Sequence, residues 1–276
     1  MMNKKTVNCY DMRLQFISLS RHCLTLRTAT VNDSVTYGVM TLFFSFTWSV
    51  AAIIIIYHMF STTDSVSIFR KLIDSLLMML LPMFFMFLTR GFIHNIKRNS
   101  DIVLNRKTKR ICFYLNDEEY ICNINDLDFL GGLKTTYLLL YSHDRFGQKV
   151  EHKIEFDGHY NFMPIVEYIK DFIHKGSDNL RIPEKYDWDD FRQKKIYLTP
   201  AEIIEHYKPW PFCSWPCDEG ERTMKVYLWP LYVVFIFPFS IISSFIWWIV
   251  CRYGKVQLHS VPKESYEGDN SGQLTP

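Results

Sequence analysis

The chain lacks the residue spacings by which most catalytic sites are recognised from sequence. His143, His152, His159 and His174 stand with no serine, cysteine or carboxylate in a recurring catalytic arrangement. Residues 1–34 contain no continuous apolar segment of the kind found in cleavable signal peptides. The net charge of +2 over 276 residues does not predict a nucleic-acid-binding face. We therefore expect a protein that is not an enzyme, binds no nucleic acid and carries no cofactor.

The seven cysteines follow no regular disulfide framework. Cys213 and Cys217 form a C-x3-C pair, but a structural zinc ion needs four ligands, and His206 would add a third. We expect inert thiols at both positions, or a small disulfide if they face an oxidising compartment. Metal binding by this pair is the weaker alternative.

What the chain does contain is three long apolar runs, at residues 35–60, 72–88 and 226–250. A helix needs about 20 apolar residues to cross the hydrocarbon core of a bilayer. His58 is the single ionisable residue of the first run, and aromatic residues border the third run at both ends. The sequence therefore predicts a membrane protein with three transmembrane helices.

Lysine and arginine residues in the short flanks predict the orientation of these helices. They are frequent in the N-terminal arm and after the second run, whereas the link between the first two runs contains Arg70 and Lys71. The predicted order is a cytoplasmic arm (1–34), a transmembrane hairpin (35–91), a cytoplasmic soluble domain (92–225), a third transmembrane helix (226–251) and a disordered tail (252–276). Three crossings would place the tail outside, unless Pro230 and Pro238 mark a re-entrant hairpin.

The soluble domain has the apolar alternation that is typical of β-strands. Strands are predicted at residues 111–115, 120–124, 135–141 and 148–156. An amphipathic helix follows at 162–173, and a second helix begins at Thr199, where Glu202 can complete a capping box. This order predicts an α+β domain, either an antiparallel meander or a pleckstrin-homology-like barrel, capped by one helix.

Three local sequences carry a resemblance to a known family. They are NRKTKR at residues 105–110, YIKDFIHKG at 168–176 and PWPF at 209–212. With the two N-terminal spans and the final span, they resemble bacterial inner-membrane proteins that have a pleckstrin-homology-like domain and are encoded in type VI secretion gene clusters. The resemblance covers roughly residues 35–255. It implies an inner-membrane location and an immunity or accessory role in secretion, without known catalytic residues.

Residues 209–217 are a candidate surface for a protein partner. They hold three prolines and three large aromatic side chains, Trp210, Phe212 and Trp215, which could form a stiff contact surface at little entropic cost. The alternative is that these rings lie at the membrane interface beside the third span. On the first interpretation the partner would be a secreted toxin or a component of the secretion system.

A second candidate surface is basic. Lys107, Lys109 and Arg110 could contact anionic lipid head groups, or could serve to keep their loop in the cytoplasm. We expect the chain to bind a protein, and the alternatives are a membrane-anchored lipid-sensing module and a small oligomeric transporter or channel subunit. If the lipid-sensing alternative holds, charge reversal at these residues abolishes liposome binding and leaves partner binding intact.

Overall fold

The computed structural model describes residues 12, 15–62, 67–131, 135–143, 148–157, 163–178, 180–183, 195–209, 211–212 and 223–269. The α-helices in these ranges are α1 (Ala29–Ser61), α2 (Ile68–Arg98), α3 (Met163–Lys175), α4 (Pro200–Tyr207) and α5 (Trp229–Tyr253). The helices α1, α2 and α5 are long and apolar enough to cross a membrane. The chain is therefore a membrane protein, as predicted, and α5 contains a π-helical turn at Tyr232–Ile236.

Two antiparallel sheets form a separate body. The first has the strand order β1 (Phe16–Leu19), β2 (Cys23–Leu26), β3 (Ile102–Asn105), β4 (Arg110–Leu115) and β5 (Glu118–Asn123). The second has the order β6 (Asp128–Gly131), β7 (Thr135–His143) and β8 (Lys149–Asp157). These sheets and α3 make an α+β domain, and the strands predicted around β4, β5, β7 and β8 are confirmed.

The N-terminal arm differs from the prediction because it contributes β1 and β2 to the first sheet. Leu26 of β2 pairs with Ile102 of β3, and Cys23 pairs with Asn105. The two strands are separated in sequence by the whole α1–α2 hairpin. The arm therefore belongs to the sheet domain, which does not begin at residue 92.

One apolar core lies between the two sheets and α3. The apolar faces of the strands and the stripe of α3 bury each other, as expected when neither is large enough to form a core alone. Its fully buried members include Leu24, Leu104, Phe113, Leu138, Phe156, Ile169 and Phe172. The helix predicted at 162–173 is α3, and it packs across the sheets as expected.

The sheet domain is joined to the transmembrane hairpin at one end. The chain enters α1 directly after β2 and leaves α2 directly before β3. Arg27 and Asp101 flank this junction and form a two-pronged ion pair, with Nε–Oδ1 and Nη2–Oδ2 distances of 2.8 and 3.1 Å. The planar guanidinium matches the carboxylate, so the pair fixes the two chain crossings side by side.

The tail also returns to the sheet domain. The backbone N–H of His259 donates to Asn99 O at 3.1 Å, and the Asn105 side-chain amide donates to the carbonyls of Ser265 and Glu267, each at 3.0 Å. We call residues 256–269 the C-terminal strap. The expectation of a disordered tail does not hold for these residues, because their polar groups form hydrogen bonds with the sheet domain.

The helix α5 runs antiparallel to α1 and ends near the sheet domain. Phe43 and Phe239 stack with ring centroids 4.2 Å apart, and Lys97 at the end of α2 donates to Gly254 O at 3.0 Å. Leu180 and Ile182 still pack on the sheet core, so the chain has to travel along the helices before α5 begins. Residues 195–209 are the first described part of this connection, and we call them the connecting segment.

The connecting segment lies on α5. Trp247 Nε1 donates to Ile196 O at 2.9 Å, and Tyr232 OH donates to Tyr207 O at 3.0 Å. The helix α4 begins at the predicted position, and Thr199 N donates to Glu202 Oε2 at 2.8 Å as a capping box requires. The re-entrant hairpin considered at Pro230 and Pro238 is not found, because Trp229–Tyr253 is one continuous helix, and residues 195–209 do not form part of the sheet domain.

Candidate functional site

A cleft of about 600 Å³ lies between α1, α5 and the first residues of the connecting segment. This size is typical of small-molecule sites. The residues that line it are Val35, Thr36, Val39 and Met40 of α1, residues 195–198, Tyr207, and Phe235, Ile236, Phe239, Ser240, Ser243, Ser244 and Trp247 of α5. Sequence analysis did not identify this cleft because the residues come from three separate parts of the chain.

Gly38 and Trp247 set the geometry of the cleft at the end near the sheet domain. A β-carbon at Gly38 would lie 2.7 Å from the Trp247 ring, so this position of α1 tolerates only glycine at the observed spacing. Small residues permit such close approach between membrane helices. The indole N–H of Trp247 donates to Ile196 O, and this hydrogen bond fixes the connecting segment against α5.

The walls of the cleft are mainly apolar, and the hydroxyls of Ser243 and Ser244 already have hydrogen-bond acceptors. Ser243 Oγ donates to Ser240 O at 3.2 Å, and Ser244 Oγ donates to Tyr207 OH at 3.3 Å. The described lining contains no histidine, cysteine or carboxylate. Lys195, which forms an ion pair with Glu202, supplies the one charged group. The cleft is therefore suited to hold an apolar ligand and not to perform acid–base chemistry.

The predicted basic surface lies in the turn between β3 and β4, at the end of β3 that is remote from α2. Lys107, Lys109 and Arg110 are all exposed. Four residues of strand correspond to roughly 13 Å at about 3.3 Å per residue. The strand thus separates these basic side chains from the helix end by more than the screening length of about 8 Å at physiological salt.

The C-terminal strap reaches this basic turn. Lys107 Nζ donates to Gly268 O at 3.3 Å, and Asn105 Oδ1 accepts hydrogen bonds from the backbone of Lys107 and Thr108. Lys109 has a φ of 55°, in the left-handed region, and its carbonyl accepts a hydrogen bond from Ile124 N. The turn is therefore held in one conformation by its own side chains and by the strap.

The predicted aromatic surface lies only partly within the described residues. Phe212 is there, with its side chain 74% exposed and its backbone N–H donating to Pro209 O at 2.9 Å. Trp210, Trp215, Cys213 and Cys217 lie outside the described residues. The described residues of this element, Pro209, Pro211 and Phe212, follow α4, which packs on α5.

The outer face of α4 carries an exposed ion pair between Glu205 and Lys208. The same helix packs its inner face on α5, where the cluster that contains Ile203 and Tyr207 meets Phe237 and Ile241. Ion pairs are costly in contact with lipid chains. The outer face of α4 is therefore expected to face water or another protein.

His152, which the sequence marks only as lacking a catalytic partner, is buried between the two sheets. His152 of β8 is only 8% exposed, its ring lies 4.2 Å from the Tyr120 ring, and its Nε2 lies 2.7 Å from Ser142 Oγ. Burial lowers the pKa of His152, while the Glu118 carboxylate opposes that shift. The interior position of His152 in the β8 alternation was the available signal.

Comparison of the chain with protein-family models, with curated proteins and with solved structures found no match. Within the described part of the chain, no group of three histidine, cysteine or acidic residues could hold a metal ion.

Proposed function

We propose that this chain is a membrane-anchored protein that binds one protein partner and catalyses no reaction. The observation that carries the proposal is the fixed, exposed turn with Lys107, Lys109 and Arg110, at the end of β3 remote from the helices. A preorganised group of like charges attracts an oppositely charged surface and accelerates its association. The expected partner surface is acidic.

We infer from the resemblance that the partner is a toxin or a component of a type VI secretion locus. In that setting the chain is an immunity or accessory protein of the bacterial inner membrane. Basic residues at both ends of the α1–α2 hairpin support a cytoplasmic sheet domain. The strap would then be cytoplasmic as well, because it is hydrogen-bonded to the sheet.

Binding is tested with the full chain in nanodiscs and the toxin encoded beside its gene. The Lys107→Glu, Lys109→Glu, Arg110→Glu triple variant is expected to weaken capture of the toxin by about tenfold or more, and most strongly at low salt. Phe212→Ala is the matched test of the aromatic element. Retained capture in both variants would contradict the proposal, and so would cells that co-express the chain yet are not protected from the toxin.

The lipid-sensing alternative predicts a different result for the same triple variant. Hydrogen exchange at the basic turn would then be slower in nanodiscs of phosphatidylglycerol than in phosphatidylcholine, and the triple variant would abolish that difference. For the protein-binding proposal we expect the exchange rates in the two lipids to be equal. The remote position of the turn on β3 favours this second outcome.

Sidedness is tested by labelling single cysteines in intact cells. Lys109→Cys in the sheet domain and Glu264→Cys in the strap are expected to be protected from an impermeant reagent, whereas Ser61→Cys at the end of α1 is expected to react. Cys122 is unsuitable as a reporter because it is buried. Reaction at position 264 together with protection at position 109 would place the strap and the sheet on opposite sides and contradict the arrangement.

A further inference from the structure

The cleft between α1 and α5 extends over the depth of one bilayer leaflet. Its wall on α5 runs from Trp247, near the sheet domain, to Phe235, roughly 18 Å along the axis at about 1.5 Å per residue. The hydrocarbon core of a bilayer is about 30 Å thick, so one leaflet contributes about 15 Å. The length of the wall is therefore close to that of one lipid chain in its leaflet.

The cleft opens sideways between the two helices. Met40 and Phe235 line it and are also 40% and 64% exposed on the outer surface of α1 and α5. In helices of membrane-spanning length, that outer surface faces lipid. A lipid chain can thus enter the cleft laterally, without any rearrangement of the sheet domain.

The polar groups of the cleft lie where a lipid head group would be. Lys195 is at the end near the sheet domain and its side chain is 50% exposed. The deeper serine hydroxyls donate to Ser240 O and Tyr207 OH, so they need no water in the cleft. Cavities without unsatisfied polar groups bind apolar molecules more readily than water.

From this geometry we infer that the cleft binds one acyl chain of a bilayer phospholipid, with the phosphate of that lipid beside Lys195. The lipid fills the space between α1, α5 and the start of the connecting segment. It thereby becomes a structural part of the bundle and not a member of the freely exchanging lipid layer.

The test is native mass spectrometry of the full chain released from nanodiscs of phosphatidylglycerol and phosphatidylcholine in equal amounts. The unaltered chain is expected to retain one phospholipid. Ser240→Phe should fill the cleft and reduce the retained fraction by about tenfold, equivalent to about 1.4 kcal/mol of binding free energy. Ile242→Phe adds the same ring to the exposed outer side of α5 and should leave retention unchanged.

A second pair of variants protects the test against misfolding of the first. Val39→Phe fills the cleft from α1, and Val50→Phe places the ring on the exposed side of the same helix. Lys195→Gln should lower retention of both lipids, because each has a phosphate. Equal retention in the filling and the outer-surface variants, or no retained lipid in the unaltered chain, would overturn the inference.

Discussion

The sheet domain and the transmembrane helices distribute large and small side chains in opposite ways. In the sheet domain the large apolar side chains are inside, and Phe156 is completely buried. On α1 and α2 they are outside, with Ile54 62% and Phe87 73% exposed, while Ser45 and Ala52 are buried. Large apolar side chains are thus buried in the sheet domain and exposed on the helices, because water surrounds the first region and lipid surrounds the second.

The difference changes what stabilises each region. Apolar burial drives the sheet core together, whereas helices in lipid gain little from that effect and depend on close packing and hydrogen bonds. Between α1 and α2, Ser45 Oγ donates to Pro82 O at 2.9 Å, and the hydroxyls of Thr41 and Thr89 lie 2.9 Å apart. Small polar groups therefore occupy positions that large apolar residues occupy in the sheet domain.

The largest expected difference in stability is between two variants that each lose one phenyl ring, one in the sheet domain and one on α2. Phe156→Ala should destabilise the sheet domain by about 3–5 kcal/mol, because it removes a completely buried ring and leaves a cavity. Phe87→Ala removes the same ring from the lipid-facing side of α2 and should have little effect on thermal stability in detergent. A similar loss of stability in both variants would refute the opposition between the two regions.

A smaller effect is expected where the helices approach each other most closely. Gly38→Val should cost about 1–3 kcal/mol, because the added side chain would meet the Trp247 ring and force α1 away from α5. Gly91→Val on α2 is the control, since no atom lies within 4 Å of a β-carbon there. Thermal unfolding in detergent should separate the two, and equal midpoints would mean that α1 and α5 are not packed as observed.

The parts of the fold that were predicted correctly are those with a local signal. The apolar runs identify α1, α2 and α5, and alternation identifies β4, β5, β7 and β8. The capping pair Thr199 and Glu202 marks the start of α4. In each case the residues that decide the structure are close together in sequence, so a pattern can reveal them.

The parts that were missed depend on contacts between distant segments. β1 and β2 have four residues each, too few for a clear alternation, and they are fixed by pairing with β3 across the whole transmembrane hairpin. The strap is polar, and its order depends on acceptors such as Ser265 O meeting Asn105. The cleft likewise combines α1, α5 and residues 195–198, which no local pattern connects.

The strap connects the two regions, and its removal should alter one of them only. Burial raises the pKa of the Cys23 thiol to about 12, and Asp269 of the strap adds to this shift. A chain that ends at Val261 should therefore expose Cys23 and lower its pKa, and alkylation at pH 8 should be about tenfold faster or more. Peptide mass spectrometry measures the reaction at each cysteine.

Cys251 is the internal control for this truncation. It is buried in the cluster of α5 with Trp247 and Val256, all of which the shortened chain retains. Its alkylation rate should not change. If Cys23 stays as protected in the shortened chain as in the full chain, the strap is not what covers the edge of the first sheet.

The smallest expected effect is a dependence on pH that is confined to the sheet domain. The pKa of His152 is lowered from 6.5 because the ring is buried between the sheets. The unfolded chain therefore binds a proton more readily than the folded chain as the pH falls. Stability should be constant above about pH 6.5 and decrease below it, until the folded state is protonated as well.

Two variants sharpen this prediction. His152→Gln cannot titrate in this range and can still form a hydrogen bond with Ser142, so it should remove the acid sensitivity. Glu118→Gln should increase it, because the carboxylate favours the protonated ring in the folded state. Hydrogen exchange of β7 and β8 between pH 7.5 and 5.5 measures the effect, with α1 and α2 as the reference. An equal loss of protection in the helices would mean that the acid response does not originate at His152.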